Sequence, residues 1–246
     1  MSLRKQISDA VLSVPNWFFR RAVDWPARAV FYDIDRVCPE LRLLERNYLS
    51  IKAEFDSLKR HLQAIPSYHE VDRYQERIAR SPAGGSNWRV FFFEAMGRKI
   101  RLNRSLCPNT AALIDRIPKV FQACFSILEP RKSVPAHCGL YNGYLRYHLG
   151  IEVPHTSPPS IRIKDQDYTW REGEGVLFDD TWPHEIRNEC PATRAVLIVD
   201  IPRPMSGIAA LVSRTMVLLG RLTYAQVVSS KAQSFSRAIT ARRGAD

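Results

Sequence analysis

The sequence predicts a mainly β protein, an all-β sandwich or barrel with helices before and after it. Short apolar runs separated by Pro, Gly or Asp recur between residues 120 and 204, a pattern typical of sandwiches and barrels. Segments with helical periodicity lie on both sides of these runs. At 246 residues, the chain is long enough for a substantial core.

The region over residues 1–80 is predicted to be helical and to pack on the barrel. Between residues 40 and 65 apolar side chains recur at spacings of three and four, which predicts one amphipathic helix. Pro39 suits its first turn, and Pro66 follows its end. Residues 81–87 (SPAGGSN) have the composition of a turn or loop and separate this region from the next.

The region over residues 81–205 carries the strand signals and is predicted to be the barrel. A strand is expected from Trp88, and a short helix capped by Asn109 or Thr110 is expected over residues 109–117. The later strands are expected in the runs VFQACFSILEP, YLRYHLGIEVP, SIRIKD, YTWREG, GVLFDD and RAVLIVDIP.

The region over residues 206–246 is predicted to be a basic amphipathic C-terminal helix. It carries six Lys and Arg residues against one Asp. A basic helix with an apolar face can lie on an anionic membrane surface. The same pattern also suits a helix packed on the barrel, and the sequence leaves both interpretations open.

The charge and cysteine patterns restrict the partners and the compartment. The chain has 36 Lys and Arg against 25 Asp and Glu, a net charge of +11 that favours a polyanionic partner. No nucleic-acid-binding motif accompanies this charge, so no nucleic acid is expected. The five cysteines form no CxxC pair, and no apolar stretch is long enough to span a membrane. We therefore expect a reduced cytoplasmic protein in peripheral contact with the inner face of the membrane.

Three histidines and an arginine stand at the ends of predicted strands: His137, His148, His184 and Arg194. The ends of neighbouring strands converge at the mouth of a barrel. Neutral imidazole binds iron, zinc and copper alike, so these residues alone leave the metal open.

Residues 125–204 resemble the aspartyl/asparaginyl β-hydroxylase family of iron(II)- and 2-oxoglutarate-dependent dioxygenases. The matching stretches are FSILEP, PAHCG, LRYHLGI, WREGEGVLFDDT, PHE and RAVLIVDIPRP, in this order. LRYHLG, YTWREGEG and DIPRPM are similar to the bacterial branch that includes lipid A acyl-chain hydroxylases. The resemblance implies a double-stranded β-helix, a jelly-roll or cupin-like barrel, which agrees with the short-strand pattern.

The resemblance implies that His137 and His184 bind Fe(II). Most such oxygenases add a carboxylate two residues after the first histidine, whereas this chain has Gly139 there. The aspartyl hydroxylase shares this departure and the lipid A hydroxylases do not, so metal retention should depend more on the bidentate cofactor. Asp179 and Asp180 are expected to be turn and hydrogen-bonding residues rather than ligands.

The resemblance also implies the residues that hold 2-oxoglutarate. Arg194 would pair with the distal carboxylate, and Ser126 would hydrogen-bond the same group. His148 would contact the metal-side carboxylate, and Trp88 would line the pocket. Arg146, two residues before His148 and on the same face of the strand, would lie near cofactor and substrate and act as a catalytic residue.

The expected reaction is hydroxylation of an unactivated C–H bond, with 2-oxoglutarate and dioxygen as co-substrates. The net charge and the basic tail favour the acyl chain of a membrane lipid, of the lipid A or ornithine-lipid type, as substrate. The glycine at the carboxylate position instead favours β-hydroxylation of Asp or Asn in a peptide or protein. A third hypothesis is a non-catalytic barrel that binds lipid or a partner, against which His137, His184 and Arg194 argue.

Overall fold

Two antiparallel sheets that pack face to face form the centre of the protein. The computed structural model describes residues 3–79 and 87–243, so the loop predicted over residues 81–87 lies outside them except for Asn87. The strands are β1 (Phe31–Tyr32), β2 (Trp88–Ala95), β3 (Arg98–Lys99), β4 (Gln122–Leu128), β5 (Val134–His137), β6 (Tyr144–Glu152), β7 (Ser160–Ile163), β8 (Gln166–Thr169), β9 (Gly175–Phe178), β10 (His184–Arg187) and β11 (Arg194–Pro202).

The larger sheet has seven strands in the order β1-β9-β6-β11-β4-β2-β3, and the smaller has four in the order β5-β10-β7-β8. Two facing antiparallel sheets are the arrangement of a jelly-roll barrel. With helices at both ends of the chain, they confirm the predicted mainly β, double-stranded β-helix fold. The two-residue strand β1 adds to the large sheet from the region predicted to be only helical.

Ten α-helices accompany the sheets in the described part of the chain: α1 (Leu3–Ala22), α2 (Ile34–Val37), α3 (Arg42–Arg46), α4 (Tyr48–Lys59), α5 (Tyr68–Val71), α6 (Glu76–Ala79), α7 (Arg101–Leu106), α8 (Pro108–Asp115), α9 (Gly207–Leu222) and α10 (Tyr224–Arg243). The prediction of one helix over residues 40–65 is wrong. The segment is divided at Asn47, whose side-chain amide donates to the Leu43 carbonyl at 2.8 Å and ends α3.

The large sheet is covered on both faces by apolar side chains. Its outer face packs against the helices of the first region, where Phe55 of α4 meets Phe125 of β4 at a ring-centroid distance of 5.2 Å. Its inner face packs against the small sheet. This inner cluster includes Val90, Phe92, Cys124, Val176 and Ile198 from the large sheet and Val134, Ile161, Ile163 and Ile186 from the small one.

The start of α8 is capped by a residue from another helix. The prediction that Asn109 or Thr110 caps it is wrong, because both lie inside the helix and Cys107 holds the N-cap position without a side-chain bond. The Glu54 carboxylate of α4 instead accepts the Asn109 and Thr110 backbone N–H groups, each at 2.8 Å. A carboxylate at a helix N-terminus satisfies free N–H groups and complements the helix dipole.

The C-terminal region forms two helices rather than the single helix predicted, with the break at Thr223. Ala225, Val228 and Ala232 of α10 are buried in the inner cluster, while α9 packs against α1. Within the described residues, no single helix is long and apolar enough to cross a membrane. Only α9 and the first half of α10 together reach that length and composition, across a bend of 48°.

Candidate active site

His137 and His184 face each other on neighbouring strands of the small sheet. His137 is the last residue of β5 and His184 the first of β10, and the two are paired in register. Their ring centroids are 4.1 Å apart. The structure thus brings together the two residues predicted to bind the metal.

Each of these rings is oriented by a backbone carbonyl two residues earlier. His137 Nδ1 donates to the Pro135 oxygen at 2.8 Å, and His184 Nδ1 donates to the Trp182 oxygen at 2.9 Å. Because a carbonyl oxygen can only accept, both Nδ1 atoms carry the proton and both Nε2 atoms keep a lone pair. Burial, followed by the neighbouring His184, lowers the pKa of His137 to about 3. Burial also lowers the pKa of His184. Both rings are therefore neutral near pH 7, and each can offer its Nε2 lone pair to a metal.

The Asp180 carboxylate occupies the space beside Gly139. A Cβ atom on Gly139 would overlap Asp180 Oδ1, so a side chain does not fit there unless Asp180 moves. Asp180 is buried, and its Oδ1 has no hydrogen-bond partner among the described residues. The position that carries a carboxylate in most such oxygenases is thus a glycine here, and the Asp180 carboxylate lies against it.

The inner face of the large sheet supplies the remaining predicted residues. Arg146 and His148 lie on β6, Ser126 on β4 and Arg194 on β11, at positions of one parity. Since side chains alternate across a strand, these four point toward the small sheet, as does Trp88 of β2. The alternating residues between them point to the outer helices instead.

Arg194 is completely buried, and none of its three guanidinium nitrogens has a hydrogen-bond partner in the described part of the protein. Its Cζ lies 3.7 Å from the centroid of the Trp170 ring. Burial lowers the pKa of Arg194 to about 9. An unpaired buried cation costs free energy unless an anion joins it, so Arg194 could pair with a carboxylate or a similar anionic group.

His148 lies on β6, paired with Ile198 of β11 and Val176 of β9, on the same inner face as Arg194. Both of its ring nitrogens are buried and without a hydrogen-bond partner among the described residues. Its ring packs edge-on against Phe178 at 4.9 Å and is stacked near Trp170. Burial, then the charge of Arg194, lowers the pKa of His148 well below its ordinary value. His148 is thus a neutral ring with a free donor and a free acceptor.

Arg146 is held by two carboxylates. Its Nε and Nη2 donate to the two oxygens of Asp200, each at 2.8 Å, and its Nη1 lies 3.0 Å from Asp180 Oδ2. Tyr144 also donates to that Asp180 oxygen at 2.7 Å. The guanidinium fork is already engaged by protein groups, which leaves little of it to pair with a carboxylate on a substrate.

Ser126 and Trp88 contact each other across β4 and β2. The Trp88 indole N–H donates to Ser126 Oγ at 2.9 Å, and both side chains are buried. The serine hydroxyl accepts this bond and so keeps its own proton free to donate elsewhere. The contact between the two residues therefore leaves the Ser126 O–H as a hydrogen-bond donor inside the sandwich.

Asp179 has a structural role that differs from that of Asp180. Its carboxylate is completely buried and is bound by Arg28 at 3.0 Å and Arg203 at 2.7 Å. It also accepts the Thr181 backbone N–H at 3.1 Å, which closes the turn before His184.

Sequence reasoning missed three residues of this site: Tyr144, Trp170 and Asp200. Asp200 stands six residues after Arg194 on one strand, and this even spacing places both side chains on the same face. Tyr144 stands two residues before Arg146 on β6, so these two side chains also share a face. Trp170 follows β8, and its position over Arg194 depends on the packing of the two sheets.

In the described residues, no group of three or more His, Cys, Asp and Glu side chains is placed to hold a metal ion. The two neutral imidazoles still fit a metal that takes its other ligands from water or from a bound cofactor. The buried nitrogens of Arg194 and His148, unpartnered among the described residues, could bind an anionic cofactor.

Residues 45–204 match the family model for aspartyl/asparaginyl β-hydroxylase. An ornithine lipid ester-linked acyl 2-hydroxylase from Rhizobium tropici is 35% identical over 181 residues, which make up 73% of this chain and 63% of that protein. The human aspartyl/asparaginyl β-hydroxylase is 32% identical over 126 residues, 48% of this chain and 16% of that protein. The chain thus spans less than two thirds of either relative. The crystal structure of TT1209 from Thermus thermophilus is similar over 35% of this chain and 76% of its own, with 20% identity and a TM-score of 0.29.

Proposed function

The chain belongs to the aspartyl/asparaginyl β-hydroxylase family, a family of hydroxylases, and from this premise we propose that it is an Fe(II)- and 2-oxoglutarate-dependent dioxygenase. Its proposed reaction is hydroxylation of an acyl chain of a membrane lipid. The observation that carries the proposal is the completely buried, unpartnered Arg194 in the same interior as two neutral histidines with free Nε2 atoms, all within the described residues.

His137 and His184 would hold the iron through Nε2. The carbonyl bonds to their Nδ1–H groups fix the tautomer and the ring direction, which strengthens imidazole as a ligand. Bound iron with 2-oxoglutarate and dioxygen supplies the oxidising power for attack on an unactivated C–H bond. The chain itself binds and orients the reactants and excludes water from the interior.

Arg194 would take the distal carboxylate of 2-oxoglutarate, with Trp170 stacked on the guanidinium and Ser126 able to donate a further hydrogen bond. His148 lies on the same inner face as Arg194 with both ring nitrogens unpartnered among the described residues, and its N–H could donate to the carboxylate of 2-oxoglutarate nearer the metal. Trp88 orients Ser126. In this arrangement Arg146 is a positioning residue, because it fixes Asp180 beside the metal site.

The lipid substrate is supported by two observations. The similar protein of Rhizobium tropici is named as an ornithine lipid acyl hydroxylase. The occupied guanidinium of Arg146 lacks a free fork for an Asp side chain of a substrate. An ornithine-lipid type of substrate is therefore preferred over lipid A, and both over a peptide.

Hydroxylation of Asp or Asn in a peptide is the second candidate. The human relative that shares a matched region is named for this activity, and Gly139 leaves two histidines as the protein ligands of the metal. A peptide product would carry its added oxygen on the β-carbon of Asp or Asn.

The metal and cofactor assignments are tested by anaerobic titration of the protein with Fe(II) and 2-oxoglutarate, followed by visible absorbance. We expect the weak charge-transfer band of chelated iron in the wild type and its loss in His137→Ala and His184→Ala. His155→Ala is the matched control, because His155 is exposed and outside the site. A folded wild type without the band would contradict the proposal and favour a non-catalytic barrel.

The substrate is tested with dioxygen present and mass spectrometry of the products. We expect one added oxygen atom on the acyl chain of an ornithine lipid, dependent on 2-oxoglutarate. Oxygen added to an Asp- or Asn-containing peptide, with none on the lipid, would overturn the lipid assignment and leave the cofactor assignment intact.

A further inference from the structure

Helix α9 is apolar on two opposite faces, and only one of them is covered by the described residues. Its inner face packs toward α1 and the barrel through Ala209, Val212, Met216 and Val217. Its outer face exposes Ile208, Leu211, Leu218, Leu219 and Leu222, each between 51 and 67% accessible. A contiguous exposed apolar face of this kind is typical of a surface that contacts another protein or a membrane. The outer face therefore needs an apolar environment that the described part of the chain does not provide.

Helix α1, which packs against α9, has exposed apolar side chains of its own. Val14 is 63% and Trp17 50% exposed. The guanidinium of Arg21 lies 4.2 Å from the centroid of the Trp17 ring. Trp and Arg, each with an apolar body and a polar end, are suited to a boundary between lipid and water.

The charged side chains of α9 and of the last turn of α1 are all positive. Arg214 and Arg221 are exposed and seven residues apart, so they follow one edge of the outer face of α9. Arg20 and Arg21 lie in the last turn of α1. Neither α9 nor α10 contains an Asp or Glu. The rim of the apolar surface thus matches a negatively charged partner.

We propose that the exposed faces of α1 and α9 form a membrane-docking surface for an anionic lipid bilayer, with α9 lying in the plane of the interface. The surface consists of Val14, Trp17, Ile208, Leu211, Leu218, Leu219 and Leu222, with Arg20, Arg21, Arg214 and Arg221 at its rim. The inference rests on the proposed function in one respect, because the surface would bring the protein to the bilayer that contains the proposed lipid substrate.

A bilayer fits this surface better than a second copy of the chain. In a twofold interface the same patch meets itself. The arginines of one α9 would then approach those of the other α9, and neither copy of α9 has a carboxylate to pair with them. A spanning arrangement of α9 and α10 is opposed by Ala225, Val228 and Ala232, which anchor α10 in the inner cluster. Anionic headgroups and acyl chains, in contrast, match both the rim and the apolar centre.

The docking surface is joined to the loop that follows the first metal histidine. Asn16 of α1 donates to the Leu140 carbonyl at 2.8 Å and accepts the Asn142 N–H at 2.9 Å. Tyr141 packs edge-on against Phe19 at 5.3 Å, and its hydroxyl lies 3.2 Å from Ser213 Oγ of α9. The helices that would contact the bilayer therefore also hold the loop that begins at His137. Docking would bring this loop, and with it the His137 end of the site, to the lipid.

The test measures co-sedimentation of the full chain, without iron or 2-oxoglutarate, with vesicles of phosphatidylcholine alone or mixed with phosphatidylglycerol. We expect binding to the mixed vesicles. Leu218→Ser/Leu222→Ser should lower the partition coefficient about tenfold or more, whereas Leu49→Ser should not, although Leu49 is 77% exposed on α4. Arg214→Gln/Arg221→Gln should weaken binding to the mixed vesicles about tenfold. Its control, Arg36→Gln/Arg171→Gln, removes two exposed arginines elsewhere.

Melting temperatures establish that each variant is folded, which is expected because the changed side chains are exposed. Equal binding by the wild type and the leucine variant would overturn the proposal. So would a wild-type dimer that the leucine change converts to a monomer while vesicle binding is absent. Vesicle binding without lipid hydroxylation would support the docking surface and overturn the lipid substrate, whereas hydroxylation in detergent micelles without vesicle binding would do the reverse.

Discussion

Arg194 is buried at a cost in stability to the free protein, and the proposed function assigns it the distal carboxylate of 2-oxoglutarate. Its guanidinium is stacked on Trp170 but has no hydrogen-bond partner in the described residues. Cation–π stacking offsets only part of the desolvation of a buried cation. The free protein is therefore less stable than one with an apolar side chain there, and a bound carboxylate recovers the difference.

Replacement of this arginine should accordingly have opposite effects on stability and on binding. We expect Arg194→Met to raise the free energy of unfolding of the ligand-free protein by about 1–3 kcal/mol. The same change should abolish the rise in melting temperature that 2-oxoglutarate produces. Thermal melts with and without 2-oxoglutarate measure both effects, with the exposed Arg187→Met as control. A full 2-oxoglutarate shift in Arg194→Met would show that the anion binds elsewhere.

Gly139 should be intolerant of any side chain while Asp180 is present. We expect Gly139→Ala to lower the free energy of unfolding by about 1–3 kcal/mol, because its Cβ overlaps Asp180 Oδ1. In the Asp180→Gly background, which lacks the overlapping carboxylate, Gly139→Ala should lower the free energy of unfolding much less, although Asp180→Gly itself loses the contacts with Arg146 and Tyr144. Urea titrations of the two single variants and of the double variant form the comparison. Simple additivity of the two single changes would refute a direct clash.

The residues of the site were predictable to different degrees. His137 and His184 stand at strand ends that converge, so their proximity follows from the fold. The partners of Arg146 did not follow, because Asp180 and Asp200 reach it from a turn and from another strand. Trp170 lacked a local signal for the same reason. Contacts between sheets are set by three-dimensional packing, which spacing along one strand does not encode.

At the scale of the element, strands were more predictable than helices. Each apolar run of the barrel region contains or adjoins one strand, because Pro, Gly and Asp mark its ends. The stripe over residues 40–65 correctly indicated a buried face, including Leu44, Ile51 and Phe55, but not the break at Asn47. An apolar stripe reports which side faces the core and carries little information about a backbone bond such as that of Asn47 to Leu43.

The cap of α8 by Glu54 gives a testable link between two helices. We expect Glu54→Ala to lower the free energy of unfolding by about 1–2 kcal/mol, because it leaves the Asn109 and Thr110 N–H groups without their acceptor. Asp56→Ala on the same helix is the control. Its exposed pair with Lys52 at 3.4 Å should be worth about 0.5 kcal/mol or less. Equal losses in the two variants would argue against an interhelix cap.

At the scale of the whole molecule, the C-terminal helix is part of the barrel interior rather than an appendage. Val228 of α10 is 1% exposed and belongs to the inner cluster, whereas the adjacent Val227 is 56% exposed. The Asn103 amide of α7 also donates to the Phe92 and Ala232 carbonyls, at 2.9 and 3.3 Å. The sheet and the end of the chain therefore share one core.

The two neighbouring valines provide a matched test of this arrangement. We expect Val228→Ser to cost about 2–3 kcal/mol of unfolding free energy, because it removes buried apolar volume and buries a hydroxyl. Val227→Ser should change it by about 0.5 kcal/mol or less. Urea midpoints under one set of conditions measure both. Similar midpoints for the two variants would mean that α10 does not support the barrel.

The alternation of side chains on β11 has a consequence for how this chain can tolerate changes in length. Arg194 and Asp200 face the site, while Ala195, Leu197 and Val199 face the outer helices. Deletion of one residue between Arg194 and Asp200 would reverse the faces of one end of the strand. A charged side chain would then point to the outer helices, and an alkyl side chain would point into the site. We therefore expect insertions and deletions among related sequences to be confined to the loops, and changes within the strands to be substitutions.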